Sequence, residues 1–286
     1  MRKNKPSQTA LKVALNIIAL SHVDSMKKVL PDGIVQATTD LLKAAEATPQ
    51  RRIEKHQSPK IVSLYKKFDW LLPGQFENFG YRKAFFENSV RNSIKDGIEQ
   101  VLILGAGYDT IGYRLSKEFP KVKFFEIEEP VTATIKIKGL KKLGAAANLF
   151  VLPEDLGKKK LSEVFEANSN WEKKKRTIIT AEGLLQYLDP GSVSDLFREC
   201  YKNSGEDSRI AFTYIGSRAD GRPDAGPRSG LMLWLFKVSG EPWLWSTTDE
   251  ALKKLLNENG WEYSSELTGP EKKRGIEFFT SAVKHT

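Results

Sequence analysis

One cysteine and three histidines are all that the 286 residues hold of the usual metal-binding and thiol chemistry. Cys200 alone excludes an intrachain disulfide and suits a reducing compartment, so the chain reads as cytoplasmic, and no metal site is predicted. His22, His56 and His285 lie away from the strand ends where the polar motifs gather, so no histidine base is expected there. No apolar run is long enough to cross a bilayer, and no membrane partner is expected. Internal repeats and low-complexity tracts are absent too. Acidic residues are the minority charge, 36 against 45 basic, giving a formal +9. That excess is spread along the chain. Its densest runs, Lys158–Lys160 and Lys173–Arg176, flank an acid-containing helix and read as solvated surface. With no aromatic-interleaved basic strand, a nucleic-acid partner is not expected.

Met1-Arg2-Lys3 precedes an apolar stretch from Ala10 to Leu20 and superficially resembles a secretion signal. Lys12 and Asn16 interrupt that stretch, and no small-residue cleavage site follows. Leu11, Ala14, Leu15, Ile18 and Ala19 recur at helical spacing, which predicts an amphipathic helix packed on the domain or over its site.

What is present begins with Val101–Thr110, four apolar residues running into Gly105-Ala106-Gly107 and then a polar pair. This is the pattern of a buried parallel strand, a tight turn and a helix start, with Asp109 or Thr110 as the cap. Gly105 and Gly107 allow backbone to approach a ligand closely. A second strand within Lys121–Pro130 has an acidic end at Glu126, Glu128 and Glu129, about twenty residues on, where nucleotide-binding βαβ units grip a ribose diol. Thr110 occupies the place of the third glycine in Gly-x-Gly-x-x-Gly, which disfavours a pyrophosphate and hence a nicotinamide dehydrogenase. A ribose-bearing cofactor without phosphates, such as S-adenosylmethionine, fits better.

Residues 1 to about 95 read as a helical cap with helices at 9–30, 34–47, 57–70 and 78–95. The domain from 96 to 286 alternates strands and helices, with strands at 100–104, 122–127, 148–152, 177–181 and 209–214. Helices are predicted between and after them at 109–119, 131–143, 159–167, 190–203 and 248–259. This predicts an α/β fold with a parallel sheet covered on both faces. Strands 261–267 and 276–284 have only Thr268-Gly269-Pro270 between them and should form a terminal antiparallel hairpin. Seven strands so arranged match the class I methyltransferase (Rossmann-like) sheet. Residues 215–247 form an insertion carrying Arg218, Arg222, Arg228, Trp234, Trp243 and Trp245.

Three more motifs fall at strand ends or beside them: Asp155-Leu156 after the third strand, Glu182–Leu188 after the fourth, and Arg82–Phe86 on the helix before the first. With the glycine turn and the acidic strand end, over residues 34 to 264, this set resembles the leucine carboxyl methyltransferase-like family, in its bacterial branch. The resemblance implies S-adenosyl-L-methionine as cofactor. It places Gly105 and Gly107 against the cofactor, Glu128 on the ribose, Asp155 and Leu156 around the adenine, Glu182 near the ammonium and Arg82 on the carboxylate. Lys43 is a second candidate cation by a looser alignment. Glu128 replaces the family's aspartate, and Ile111 replaces an arginine that often follows Asp-Thr.

Methyl transfer from a sulfonium needs alignment and exclusion of water more than acid–base help. A carboxylate acceptor, ionised at neutral pH, needs no base, whereas a phenol or alcohol benefits from one. Tyr187 is the polar candidate nearest the methyl, and the insertion's arginines could meet an anionic acceptor. The expected function is O-methylation of a small metabolite; the alternatives are a protein C-terminal carboxylate, an RNA, or a non-catalytic scaffold. Oligomeric state is left open.

Overall fold

The computed structural model describes residues 6–264, 273–274 and 276–284. Its strands are β1 (Gln100–Leu104), β2 (Lys123–Glu128), β3 (Leu149–Pro153), β4 (Thr177–Ala181), β5 (Arg209–Ile215), β6 (Trp261–Ser264), β7 (Lys273–Arg274) and β8 (Glu277–Lys284). They lie in the order β3-β2-β1-β4-β5-β8-β6, with the two-residue β7 pairing β8 off this path. The first five pair in parallel, and β8 runs antiparallel to both β5 and β6. The terminal antiparallel pair is thus present as the sequence predicts, while the Thr268–Pro270 turn lies outside the described residues.

The helices are α1 (Gln8–Leu20), α2 (Ile34–Ala44), α3 (Gln50–His56), α4 (Lys60–Phe68), α5 (Gln75–Lys95), α6 (Ile111–Glu118), α7 (Pro130–Lys142), α8 (Leu161–Glu166), α9 (Pro190–Lys202), α10 (Ser229–Ser239) and α11 (Asp249–Glu258). Alternate residues of each central strand enter different layers. Val101, Ile103 and Phe124 pack with Phe86 and Val90 of α5 and Leu115 of α6. Leu102, Leu104, Phe125 and Ile127 pack on the other face with Val164 of α8, Phe197 of α9 and Leu256 of α11. Strands buried on both faces read as unbroken apolar runs, which is why they were legible.

The predicted first helix, 9–30, stops at Leu20. The Ser21 hydroxyl donates to the Ile18 carbonyl, and only a short 3-10 turn, Asp24–Met26, follows. Val23 and Met26 are buried at near-helical spacing, so periodicity carried the prediction past the true end. α3 was not predicted, because within one polar heptad only Ile53 and His56 point inward. α10, inside the insertion, was also missed.

Candidate functional site

Parallel strands deliver their last residues to a common edge, and the connections there carry the ligand-facing groups of open α/β sheets. In the order β3-β2-β1-β4, that edge presents Asp155, Glu128, Gly105 and Glu182 side by side. Gly105 and Gly107 both have left-handed φ, +64° and +48°, which residues with a Cβ adopt only under strain. A Cβ on Gly105 would stand 3.1 Å from Leu184, and one on Gly107 2.9 Å from the Ala10 Cβ of α1. The first turn of α1 therefore lies on the glycine turn, over the site, as its amphipathic pattern suggested. It is held there by the Ser7 amide donating to the Thr132 hydroxyl at 3.0 Å and by Thr9 bonding Glu241.

Glu128 accepts the Gly107 amide at 2.7 Å. Burial pushes its carboxyl above the ordinary glutamate value, against the opposing effects of that amide and of nearby Lys136. Glu129 caps α7 by accepting the Val131 and Thr132 amides. Glu126 points elsewhere, into a pair with Lys136 in which both side chains are fully buried, 2.6 Å apart.

Asp109 accepts the Ile111 amide at 2.6 Å and also pairs with Lys83. Burial opposes its ionisation, but Lys83 and Lys136 win and hold its carboxyl down to about 2. Lys83 reaches on to Glu182 at 2.8 Å, and Arg82 meets the same carboxylate through Nε at 2.9 Å. Arg82 Nη1 forks onto Glu277 at 2.8 and 2.7 Å, and Gln75 and Asn78 donate to that glutamate as well. Among the described residues Nη2 of Arg82 makes no hydrogen bond. Desolvation works against the charge on Arg82, yet Glu277 and Glu182 outweigh it and drive its pKa upward.

The structure thus brings Arg82, Glu182 and Asp109 into one network, beside the contact between Glu128 and Gly107. Asp155 is only partly buried and forms a local turn, accepting the Gly157 amide at 3.0 Å and Lys158 at 2.6 Å. Burial opposes its ionisation, but those donors keep its pKa below the ordinary aspartate value. Leu156 packs against the adjoining core. Lys43 is exposed on α2, and the second cation of this network, beside Arg82, is Lys83. Sequence reasoning missed Lys83 and Glu277. The adjacent basic pair Arg82-Lys83 was a signal for the first. A lone acid between Ile276 and Phe278, at the start of an antiparallel strand, was a signal for the second.

Tyr187 ends a 3-10 turn, Leu185–Tyr187, after β4. Desolvation raises its phenol, with the nearby Glu241 carboxylate adding in the same direction. The Leu244 amide donates to the Gln186 carbonyl at 2.7 Å, tying the end of the insertion to this turn. The insertion's arginines are engaged elsewhere or exposed: Arg222 on Asp220, Arg228 on Trp70, and Arg218 at the surface. Three buried polar atoms here lack partners among the described residues: the Tyr108 hydroxyl beside the glycines, Gln186 Oε1 and Trp243 Nε1.

The family model for leucine carboxyl methyltransferase matches residues 10–201, two thirds of the chain. The chain belongs to the leucine carboxyl methyltransferase family. A Mycobacterium tuberculosis member, named as an inferred S-adenosyl-L-methionine-dependent methyltransferase, is 31% identical over 137 residues, 47% of this chain and 38% of that protein. A similarly named Mycobacterium avium protein is 32% identical over 140 residues, 48% of this chain and 45% of its own length. The chain therefore spans less than half the length of these curated relatives. Among solved structures, a methyltransferase of inferred function from Thermobifida fusca aligns with a TM-score of 0.59 at 15% identity, covering 90% of this chain and 98% of that one. An O-methyltransferase family protein from Burkholderia thailandensis gives 0.50 at 12%, covering 72% and 60%. At such identities the structures show the fold: a class I methyltransferase sheet.

Proposed function

We propose that this family member is an S-adenosyl-L-methionine-dependent O-methyltransferase acting on a carboxylate of a small metabolite. The observation that carries the reading is the row Asp155, Glu128, Gly105, Glu182 along one sheet edge, with Arg82 turned toward it and Nη2 uncommitted. The residues fit such a cofactor: two left-handed glycines put no side chain on the turn, the buried Glu128 carboxylate adjoins them, and the Tyr108 hydroxyl lacks a partner among the described residues. When bound, the cofactor supplies a methyl on a sulfonium for in-line displacement.

In this reading Glu128 accepts from the ribose hydroxyls, and Asp155 with Leu156 brackets the adenine. Glu182 faces the ammonium, and Arg82 Nη2 donates to the carboxylate. α1 and Leu184 exclude water by closing on the glycine turn. Tyr187 has its phenol raised and stays protonated at neutral pH, so it donates a hydrogen bond to the acceptor rather than removing a proton. Of the histidines, His56 is tied to the Arg52 carbonyl in α3, and no described histidine joins the edge network. An acceptor that is already anionic needs no base, which favours a carboxylate over an alcohol.

Calorimetry with S-adenosylhomocysteine should show binding, and NAD should show none. Transferred methyl should be released as methanol by mild base, the mark of an ester. A folded protein that binds no S-adenosylhomocysteine overturns the assignment, and base-stable product overturns the carboxylate. Tyr187→Phe is expected to lower kcat about tenfold, the worth of roughly one hydrogen bond to a charged group, while leaving S-adenosylhomocysteine affinity unchanged.

The pH dependence has a definite sign. Glu128 must be ionised to accept from a diol, and burial raises its pKa in the free protein. Affinity for S-adenosylhomocysteine should therefore fall as pH drops through that raised value, at a higher pH than an ordinary glutamate would give. Glu128→Gln should bind more weakly and lose this dependence. A wild-type affinity flat from neutrality to mildly acidic pH removes Glu128 from the ribose.

A further inference from the structure

Every exposed large apolar side chain among the described residues lies on two elements, the α4 segment and the insertion. On α10, Leu231, Trp234, Leu235 and Val238 are spaced i, i+3, i+4, i+7 and form one outward stripe, with Trp234 58% and Val238 59% exposed. Met232 of the same helix faces inward. On the α4 segment, Leu64 and Phe68 share a face, and Trp70 follows, half exposed. The two elements meet at Arg228, whose guanidinium stacks 4.5 Å over the Trp70 ring and donates to the Trp70 carbonyl at 2.9 Å. The two apolar stretches thus adjoin at Arg228, and exposed apolar groups gathered in this way mark interaction surfaces.

We infer that this surface docks on an anionic lipid bilayer, lying in the interface without spanning it. The basis is charge complementarity. Lys66 and Lys67 immediately precede Phe68, Lys237 sits beside Val238, and all three lysines are exposed. The nearby acids are engaged locally, Asp69 with the Gly74 amide and Glu241 with Thr9. Apolar and aromatic groups bordered by lysine are what an anionic headgroup layer over hydrocarbon accepts. No helix of the described residues is long and apolar enough to cross a membrane, and the sequence expectation of no membrane partner rested on that length alone. Because Trp243 stacks on Phe236 of α10 and the adjoining Leu244 amide donates to the Gln186 carbonyl, next to Tyr187, a docked α10 places the acceptor side of the site at the bilayer.

Co-sedimentation of the full chain with vesicles tests this. Vesicles of phosphatidylcholine mixed with phosphatidylglycerol should retain the protein at low salt, and phosphatidylcholine alone should retain much less. Trp234→Ser with Val238→Ser should weaken retention by at least about tenfold. Lys66→Glu, Lys67→Glu and Lys237→Glu together should weaken it by about a hundredfold, since each basic group near an anionic leaflet is worth about fivefold. Should the apolar variant fail to fold, judged by its melting transition, the charge-reversed variant decides. No retention on phosphatidylglycerol vesicles overturns the inference. So does retention indifferent to both variants, or a concentration-dependent dimer abolished by the same substitutions.

Discussion

Lys136→Met is expected to destabilise the protein by about 3–5 kcal/mol, the usual cost of stranding one member of a buried ion pair. Lys136 and Glu126 are fully buried, 2.6 Å apart, and sit beneath α6 at Gly112, where an added Cβ would strike the Glu126 carboxylate. Burial already pushes the Glu126 carboxyl upward, and only Lys136 opposes it strongly. Without the ammonium, the folded state holds Glu126 in its neutral form. A carboxyl whose folded pKa is raised costs stability as pH climbs through that pKa, so the defect should be larger at pH 8 than at pH 5. Thermal melts across that range check the sign. The double replacement Glu126→Leu, Lys136→Met should recover to within about 1 kcal/mol of wild type, because an apolar pair of similar volume carries no desolvation cost. Lys136 also lowers the Asp109 and Glu128 carboxyls electrostatically, so the double variant should regain stability without regaining full S-adenosylhomocysteine affinity. Equal losses in single and double variants would mean that packing, not charge, is what Lys136 contributes.

β1, β2, β4 and β5 were legible because burial on both faces removes the polar alternation that blurs a half-exposed strand. Glu128 and Glu182 were legible for a related reason: in parallel strands the last residue of an apolar run falls at the ligand edge. Glu277 obeys the opposite rule. β8 runs antiparallel, with Glu277 paired to Ile215 at the end of β5, so its first residue reaches that edge. An acid at a strand start, far along the chain from the other motifs, carries no such mark unless the pairing direction is already known. Lys83 was passed over because a charge beside a recognised arginine reads as solvated, whereas both side chains of this pair are buried. The insertion was the least legible part. α10 is apolar nearly all round, so no moment separates an inward from an outward face, and the three arginines that precede it in the insertion suggested an anion site that the fold does not assemble.

Arg82→Ala is expected to produce the largest combined loss, in fold stability and in cofactor affinity together. Arg82 is buried, with Glu277 and Glu182 as its partners. Removing the guanidinium leaves Glu277 with only the neutral donors of Gln75 and Asn78, a change of about 3–5 kcal/mol for a stranded buried charge. If Nη2 also holds the cofactor carboxylate, the lost charge-assisted bond should weaken S-adenosylhomocysteine by about 10- to 150-fold. The two consequences separate in a cycle. Arg82→Ala with Glu277→Ala removes the stranded carboxylate, so stability should return in part, while affinity stays low because nothing replaces the donor. Glu277→Gln alone keeps the shape but releases the fork, and its affinity loss should be smaller than that of Arg82→Ala. Arg82→Lys restores a charge without the planar fork and should recover stability better than binding. Melting temperature and calorimetry on the same four proteins give both readouts. A double variant that binds S-adenosylhomocysteine as tightly as wild type would confine Arg82 to holding β8 against α5.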